Sequence, residues 1–382
     1  MAIPLRVEER QSAAAASGCR PADRAAVRRR PRIALVCASL DIIGGQGVQA
    51  RILLDAFRRE GYEIDFVPIN PAFPRGLRWL RRLPYLRTIG NEALYIPSLL
   101  RLRNADVVHI FSASYWSFLL APLPAMLAAK AFGKRVILNY HSGEAEDHLG
   151  RWGALVHPGL RLADEIVVPS EYLRKVFAAH GYRVRVIPNV VDTARFRYRE
   201  RRPLRPRLVS TRNLEPIYRV DNTVKAFALL KGLYPEATLT IAGYGSEEER
   251  IRRLAGPYLN RGIRLAGRVE PWAMPGVYDD ADIFLNSSIV DNQPLSVLEA
   301  FAAGLPVVST PTGEIAGMVR NGETGSIVSP GDPEVMAAAI ARLLENPERA
   351  RVLARRARTE VERHTWPEVK KQWIASYSGL SA

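Results

Sequence analysis

Short apolar runs alternate with longer amphipathic stretches along this chain, and the alternation begins at residue 32. The run 32–40 is almost continuously apolar, which is typical of a strand in a parallel sheet that is covered on both faces. Similar runs predict strands at 62–70, 105–112, 135–141, 163–170 and 184–188. Because helical patterns fill the intervals, residues 32–196 are predicted to form an α/β domain with a parallel sheet.

The same alternation restarts after a charged segment, residues 197–207, which contains Pro203 and Pro206 and is predicted to be a linker. A second domain is predicted over 208–365, and the final helix, 366–382, is expected to pack back on the first domain. The expected fold is therefore α/β, with two doubly wound domains that face a cleft. Ligands of such sheets bind beyond the carboxyl ends of the strands. The strands of the second domain are predicted at 208–212, 238–243, 263–266, 283–287, 307–310 and 326–328.

The segment 291–310 combines two acids with a buried helix. A helix is predicted from Pro294, which suits the first helical position, to Gly304, and a buried strand follows. From 295 to 303 only Ser296 and Glu299 are polar, which indicates burial almost all round. Ser296 and Glu299 are three residues apart, so they share a face of the helix near its N-terminus. The free N–H groups at a helix N-terminus can bind an anion such as a phosphate. A buried carboxylate is costly unless something pairs with it or uses it, and the alternative to a binding role is a bond from Glu299 to nearby backbone.

This pattern resembles the donor-site signature of glycosyltransferase family 4, which comprises retaining enzymes of the GT-B fold with two Rossmann-like domains. In that family two acids are separated by seven residues and followed by Ala, a Gly and Pro-Val-Val, as at 291–308 here. The resemblance implies that Glu299 holds the ribose hydroxyls of a nucleotide-sugar and that Asp291 meets the transferred sugar. The first acid is Glu in the usual pattern, and the shorter Asp draws the carboxylate oxygens back.

Loops at the strand ends of the first domain contribute further candidates. Gly44 and Gly45 follow the first strand, where glycines let backbone N–H groups approach a phosphate or a sugar. His141 ends another strand and precedes a Ser-Gly turn. By resemblance, the glycines face the donor and acceptor, and His141 contacts the transferred sugar. The alternatives are an ordinary tight turn and a structural histidine.

Arg212 leaves the first strand of the second domain, where it is placed to grip a diphosphate by charge-assisted hydrogen bonds. The family has an Arg here and a Lys about six residues later, often followed by Gly. That Lys-Gly pair is absent, so Arg219 is aligned with the Lys through one inserted residue; the alternative is a solvated residue at a helix start. The resemblance also implies that loops at Gly243 and Val269 frame the donor, with backbone contacts to the base from Val269.

These residues predict a retaining glycosyltransferase that moves a sugar from a nucleotide-sugar donor to a hydroxyl of a lipid-linked or cell-envelope glycan acceptor. Arg212 and the helix N-terminus at Leu295 and Ser296 would stabilise the departing diphosphate, so no metal and no cofactor are expected. Two alternatives stay open. One is a nucleotide-sugar epimerase of the GT-B fold, which needs acid and base groups beyond His141 and Asp291. The other is a non-catalytic GT-B-like partner subunit.

Charge is unevenly distributed along the chain, whose net charge is +15. Residues 1–200 contain 30 Lys and Arg against 18 Asp and Glu, whereas residues 201–382 contain 24 against 21. A basic half indicates an acidic partner surface, and no recognised nucleic-acid motif accompanies it, so no nucleic acid is expected. Residues 1–31 are predicted to be a disordered basic tail without the pattern of a signal peptide. With only Cys19 and Cys37, the chain fits a reducing, cytoplasmic compartment.

Residues 75–103 are both basic and apolar, with seven arginines and a single acid, Glu92. Basic amphipathic segments that contain Trp lie well at an anionic membrane surface. Because the family often acts on lipid-linked acceptors, this segment is predicted to hold the protein peripherally on the cytoplasmic face of a membrane. The alternative is a solvated basic helix whose apolar residues pack into the first domain. The arginines are Arg75, Arg78, Arg81, Arg82, Arg87, Arg101 and Arg103.

Overall fold

The computed structural model describes residues 30–41, 44–76, 79 and 83–379. The predictions for the tail up to residue 29, which includes Cys19, lie outside the described residues. The same is true of part of the basic segment 75–103, namely Leu77, Arg78, Leu80, Arg81 and Arg82.

The first half of the chain forms a sheet of six parallel strands. They are β1 (Ile33–Cys37), β2 (Ile64–Pro68), β3 (Val107–Ser112), β4 (Arg135–Tyr140), β5 (Glu165–Val168) and β6 (Arg185–Val186). Their order is β2-β1-β3-β4-β5-β6, so the chain reverses direction across the sheet between β1 and β3. The helices of this half are α1 (Gly45–Arg59), α2 (Pro84–Ser98), α3 (Trp116–Leu120), α4 (Pro122–Ala131), α5 (Ala145–Arg151), α6 (Gly153–Leu160) and α7 (Glu171–Ala179).

The second half forms another sheet of six parallel strands. They are β7 (Arg207–Ser210), β8 (Thr238–Ala242), β9 (Ile263–Gly267), β10 (Ile283–Asn286), β11 (Val307–Ser309) and β12 (Ser326–Ile327). The order β12-β11-β10-β7-β8-β9 is doubly wound, with the reversal between β7 and β10. The helices are α8 (Val220–Leu233), α9 (Glu248–Ala255), α10 (Met274–Asp279), α11 (Leu295–Ala303), α12 (Ile315–Met318), α13 (Pro333–Glu345), α14 (Pro347–Val361) and α15 (Trp366–Tyr377).

Two doubly wound α/β layers in series confirm the predicted architecture. Strands in both sheets are buried throughout: all residues of β1 and β3 in the first sheet, and all residues of β10 and β11 in the second, are buried. The uncharged stretch 113–129 forms α3 and most of α4, which meet at Ala121 and Pro122. Among the described residues, no helix combines the length and the apolar character needed to cross a membrane.

Helix α11 begins one residue later than predicted, with Pro294 as its N-cap. Gly304 ends it in the left-handed region, at φ +77°. A Cβ there would lie 2.7 Å from the ring of Tyr198, so both the backbone conformation and the close packing require glycine. The next strand, β11, therefore starts in a defined direction behind the helix.

Residues 187–206 connect the two halves without forming a helix or a strand, and a buried arginine fixes them to the second half. Arg201 is 1% exposed and donates hydrogen bonds to the carbonyls of Tyr278 and Ala281, at 3.0 and 3.2 Å, and also to that of Ala303. Burial lowers the pKa of Arg201 to about 10. The side chain thus ties the connection to the C-terminal ends of α10 and α11.

Helix α15 returns to the first half of the chain. Its Trp373 and Tyr377 are buried against the first sheet, and the Tyr377 hydroxyl lies 2.8 Å from Nδ1 of His109 on β3. Trp366 packs edge-to-face on Phe57 of α1, with 4.8 Å between the ring centroids. The last helix therefore joins the core of the N-terminal sheet.

Candidate active site

A cavity of about 440 Å³ lies where the carboxyl ends of the two sheets meet. The second sheet reverses its strand order between β7 and β10, and the loops after these two strands supply Arg212 and Asp291 to the cavity wall. Of the eleven residues proposed from the sequence, ten line this cavity: Gly44, Gly45, His141, Arg212, Gly243, Val269, Asp291, Leu295, Ser296 and Glu299.

Arg212 is held rigidly at the base of the cavity. Its Nη2 donates to Oδ2 of Asp291 at 2.6 Å, and its Nη1 donates to Oγ of Ser296 at 2.9 Å. The Nε of Arg212 is buried and has no hydrogen-bond partner among the described residues. A guanidinium that is fixed on two sides places a preorganised positive charge at the cavity wall.

Tyr218 also lines the cavity and packs against Arg212. The guanidinium carbon of Arg212 lies 4.1 Å from the centroid of the Tyr218 ring, which is a cation–π contact. Burial raises the pKa of the Tyr218 hydroxyl, so this side chain is neutral at physiological pH. Tyr218 stands six residues after Arg212, which is the spacing of the family's Lys without an insertion.

Arg219 does not line the cavity, so the donor contact predicted for it is not supported by its position. Its guanidinium pairs with Asp221 at 2.9 Å, and Arg250 approaches the same carboxylate at 3.2 Å. The backbone of Arg219 is left-handed, at φ +46°, where the family often has Gly. The chain therefore turns at Arg219, which directs Tyr218 inward and Arg219 toward Asp221.

Glu299 lies one turn inside α11 and is partly buried. Its Oε2 accepts a hydrogen bond from the hydroxyl of Tyr278 at 2.7 Å. Burial raises the pKa of Glu299 to about 7, although Tyr278, Arg195 and Arg212 all favour the charged form. Near neutral pH this carboxyl is therefore poised between its protonated and ionised forms.

His141 faces the cavity from the end of β4. Its ring stacks on Phe111 with 5.1 Å between centroids, and its Nε2 has no hydrogen-bond partner in the described part of the chain. Burial lowers the pKa of His141 to about 3, so the imidazole is neutral at physiological pH. A neutral imidazole with an unpartnered ring nitrogen can exchange a hydrogen bond with a hydroxyl that reaches it.

Glycines shape the cavity in two ways. A Cβ at Gly44 or Gly45 would meet no atom within 4 Å, so both positions border open space. At Gly243 a Cβ would lie 2.1 Å from the carbonyl oxygen of Arg212, and at Gly313 it would lie 2.0 Å from that of Asp291. The first pair leaves room for a ligand, and the second pair lets neighbouring loops pack against Arg212 and Asp291.

Hydrogen bonds cross from the first half to the loop that carries Asp291. The backbone N–H of Asn189 donates to Oε1 of Gln293 at 2.7 Å, and its side-chain amide donates to the Gln293 carbonyl at 2.9 Å. The hydroxyl of Ser170 donates to Oδ1 of Asn292. A Cβ at Gly143 would lie 2.9 Å from the carbonyl carbon of Asp291, so the two halves meet closely at this loop.

The side chains at the site that were not predicted from the sequence include Tyr218, Tyr278, Thr211 and Arg195. For Tyr218 the signal was present, because the alignment without an insertion places it opposite the family's Lys. Thr211 is adjacent to Arg212, and its hydroxyl lies 2.7 Å from that of Tyr278. Tyr278 and Arg195 carry no local pattern that marks them, since only the fold brings them to Glu299.

Two family models match the chain, and together they cover almost all of both domains. The model described as Glycosyltransferase Family 4 matches residues 43–195, and the model described as Glycosyl transferases group 1 matches residues 195–360. The chain belongs to the family 4 glycosyltransferases of the GT-B fold, and it is a glycosyltransferase, as the sequence predicted.

Curated relatives agree with this assignment over nearly full length. The chain is 30% identical over 364 residues to a glycogen synthase of Mycobacterium tuberculosis, which covers 83% of this chain and 86% of the relative. It is 26% identical to a phosphatidyl-myo-inositol mannosyltransferase of Mycolicibacterium smegmatis, over 92% of this chain and 94% of the relative.

Solved structures share the fold at low sequence identity. The Anabaena protein HepE, in complex with UDP-glucose, superposes with a TM-score of 0.71 and 16% identity, over 92% of this chain and 100% of its own. A sucrose-phosphate synthase from Thermosynechococcus elongatus superposes with a TM-score of 0.67 and 19% identity, over 91% of this chain and 98% of its own. Both likenesses support the arrangement of two Rossmann-like domains.

Proposed function

We propose that this glycosyltransferase moves a sugar from a nucleoside-diphosphate sugar to an acceptor hydroxyl with retention at the anomeric carbon. The observation that carries the proposal is the juxtaposition of Arg212, the N-terminus of α11 and Glu299 in one cavity. These groups offer a cation, free backbone N–H groups and a carboxylate. They match the diphosphate and the ribose of such a donor.

The diphosphate of the donor binds Arg212 and the first turn of α11. Helix geometry leaves the N–H groups of Leu295 and Ser296 without intrahelical partners, and the positive end of the helix dipole favours a phosphate there. Glu299 accepts the ribose hydroxyls farther along the same helix. The loops at Gly243 and Val269 frame the nucleoside, and Val269 offers backbone contacts to the base.

The transferred sugar lies toward His141 and Asp291. His141 offers a neutral ring nitrogen, while Asp291 orients the sugar from its place beside Arg212. We assign neither carboxylate to covalent attack, because Asp291 is paired with Arg212 and Glu299 is taken by the ribose. The proposed reaction therefore takes place on the face of the leaving group, with charge on the diphosphate stabilised by Arg212 and α11.

The acceptor is proposed to be a lipid-linked or cell-envelope glycan at an anionic membrane surface. Helix α2 exposes an apolar face: Tyr85 is 87% exposed, and Ile89 and Ile96 lie four and eleven residues further along the same face. Exposed apolar patches beside basic residues mark interaction surfaces, including membranes. A relative named for the lipid phosphatidyl-myo-inositol gives independent support for a lipid-linked acceptor.

Not all of the basic segment is available to a membrane. Arg101 pairs with Asp65 on β2, and Arg103 lies over the ring of Phe132. The proposed contact therefore rests on the exposed apolar side chains of α2 together with the exposed arginines Arg75 and Arg87. A cytoplasmic location is part of the proposal, and it is supported by Cys37, a buried free thiol that fits a reducing compartment.

A thermal-shift panel of nucleoside diphosphates and nucleotide-sugars tests the donor. A ligand at about 100 times its dissociation constant adds about 2.7 kcal/mol to the free energy of unfolding. We expect one nucleotide series to stabilise the parent and not Glu299→Gln. Product analysis with and without acceptor then separates transfer from epimerisation. If no nucleotide or nucleotide-sugar in the panel stabilises the protein, the proposal is contradicted.

A further inference from the structure

Tyr278 lies behind the cavity wall and is fully buried. Its hydroxyl contacts three groups: Oε2 of Glu299 at 2.7 Å, Oγ1 of Thr211 at 2.7 Å and, more distantly, the carbonyl of Ser296 at 3.2 Å. These groups come from α11 and from the loop after β7. One phenol therefore connects the two elements that supply the carboxylate and Arg212.

The position of this hydroxyl is determined from several sides. The Tyr278 ring is parallel to that of Phe284, with 5.9 Å between centroids, and lies edge-on to that of Phe196 at 5.4 Å. Its backbone carbonyl accepts a hydrogen bond from buried Arg201 at 3.0 Å. The phenol therefore cannot swing away from Glu299 without disturbing the core of the second domain.

The number of protons available decides which group donates in each hydrogen bond of Tyr278. A phenol has one proton, and an ionised carboxylate is a stronger acceptor than the Ser296 carbonyl at 3.2 Å. Tyr278 therefore donates to Oε2 of Glu299, and Thr211 donates to the phenol oxygen. The other oxygen, Oε1, makes no hydrogen bond within the described residues, and Glu299 lines the cavity.

We infer that Tyr278, supported by Thr211, is the positioning residue of the nucleoside site: it occupies one oxygen of Glu299 and so presents the other to a vicinal diol. The inference rests on the proposed ribose contact of Glu299 and identifies what makes that contact selective. Groups that face the Glu299 carboxylate from other elements are Tyr278, Arg195 and Arg212, and all three favour its ionised form. Removing the phenol hydroxyl weakens that preference, so the diol is bound over a narrower range of pH.

The test compares ribonucleotides with their 2′,3′-dideoxy counterparts, using UDP, GDP and ADP, in the parent and in Tyr278→Phe. Binding is measured by calorimetry from pH 5.5 to 9. In Tyr278→Phe we expect the preference for the ribonucleotide to fall about tenfold, and the pH of half-maximal binding to rise by about one unit. Thr211→Val, which removes the support of the phenol, should shift both quantities less in the same direction.

Tyr95→Phe is the matched control, because Tyr95 is also fully buried and its hydroxyl donates to a carbonyl, that of Ala121 at 2.8 Å, in the first half. It should change neither quantity. The inference is overturned if Tyr278→Phe weakens the binding of ribonucleotides and dideoxynucleotides equally, or if the pH of half-maximal binding does not change. Glu299→Gln distinguishes failure of the proposed ribose contact from failure of the inference about Tyr278. If Glu299→Gln keeps the preference for the ribonucleotide, the ribose assignment of Glu299 fails. If it loses that preference while Tyr278→Phe and Thr211→Val keep it, only the positioning role of Tyr278 fails.

Discussion

The guanidinium of Arg212 and the carboxylate of Asp291 form an ion pair with 2.6 Å between Nη2 and Oδ2, and each side chain is only about a tenth exposed. The pair joins the loops after β7 and β10, which are 79 residues apart in sequence. A nearly buried pair of this kind depends on both members, since removal of one leaves an uncompensated charge.

We predict that Arg212→Ala lowers kcat/KM by about a hundredfold or more, because it removes the cation at the diphosphate. It should also lower the free energy of unfolding by about 3 kcal/mol, since Asp291 is left unpaired. Arg219→Ala should have a much smaller effect on kcat/KM, because Arg219 pairs with Asp221 outside the cavity. Steady-state kinetics and urea unfolding measure both effects. An equal loss of activity in the two variants would show that Arg219 reaches the donor.

Tyr218 should act through its ring. Tyr218→Phe keeps the stacking on Arg212, whereas Tyr218→Ala removes a cation–π contact that contributes about 0.5–2 kcal/mol. We therefore expect Tyr218→Ala to weaken nucleoside diphosphate binding by about 2- to 30-fold and Tyr218→Phe to bind like the parent. Calorimetric titration measures both. If the two variants lose the same affinity, the hydroxyl and not the ring is responsible.

Glu299 should make the stability of the ligand-free protein pH-dependent. Burial raises its pKa in the folded state to about 7 from the ordinary value of 4.5, so the folded state binds more protons than the unfolded state between these values. The stability of the parent therefore falls as pH rises through this window, by up to about 3 kcal/mol, relative to Glu299→Gln. Urea unfolding at pH 5 and pH 8 measures the difference. Glu334→Gln, a change at an exposed position in α13, is the control, and a parallel response of all three proteins would refute the prediction.

Turnover should not require a divalent metal. Arg212 and the N-terminus of α11 supply the positive charge that the leaving diphosphate needs. Activity assayed after exhaustive chelation should equal that of the untreated protein, and added magnesium or manganese should not raise it. Complete loss in chelator with recovery on adding either ion would contradict this expectation.

The exposed face of α2 should bind anionic membranes. The parent should co-sediment with phosphatidylglycerol vesicles at low salt and detach as salt rises, because each basic residue near such a surface contributes about 1 kcal/mol that salt screens. Tyr85→Asp combined with Ile89→Asp should abolish sedimentation without changing donor binding. Leu233→Asp changes an apolar residue that is 70% exposed on α8 and is the control. Sedimentation that is independent of lipid charge and salt would exclude this mode of binding.

Much of the fold and of the site was predictable because the signals are local. Apolar runs mark buried parallel strands, and a helix with only Ser296 and Glu299 as polar residues must lie in a core. Gly304 marks the end of that helix because its backbone is left-handed. Parallel strands then bring their carboxyl ends to one edge, which is why ten predicted site residues line one cavity.

The tertiary structure alone decided which side chains support those residues. The direction of the backbone at Arg219 turns Tyr218 into the cavity, and the packing of α10 against α11 brings Tyr278 to Glu299. Periodicity along the sequence specifies which face of an element is apolar, but it does not specify which distant polar atoms meet. Those pairings, including that of Arg212 with Asp291, follow from how the two sheets and their helices pack together.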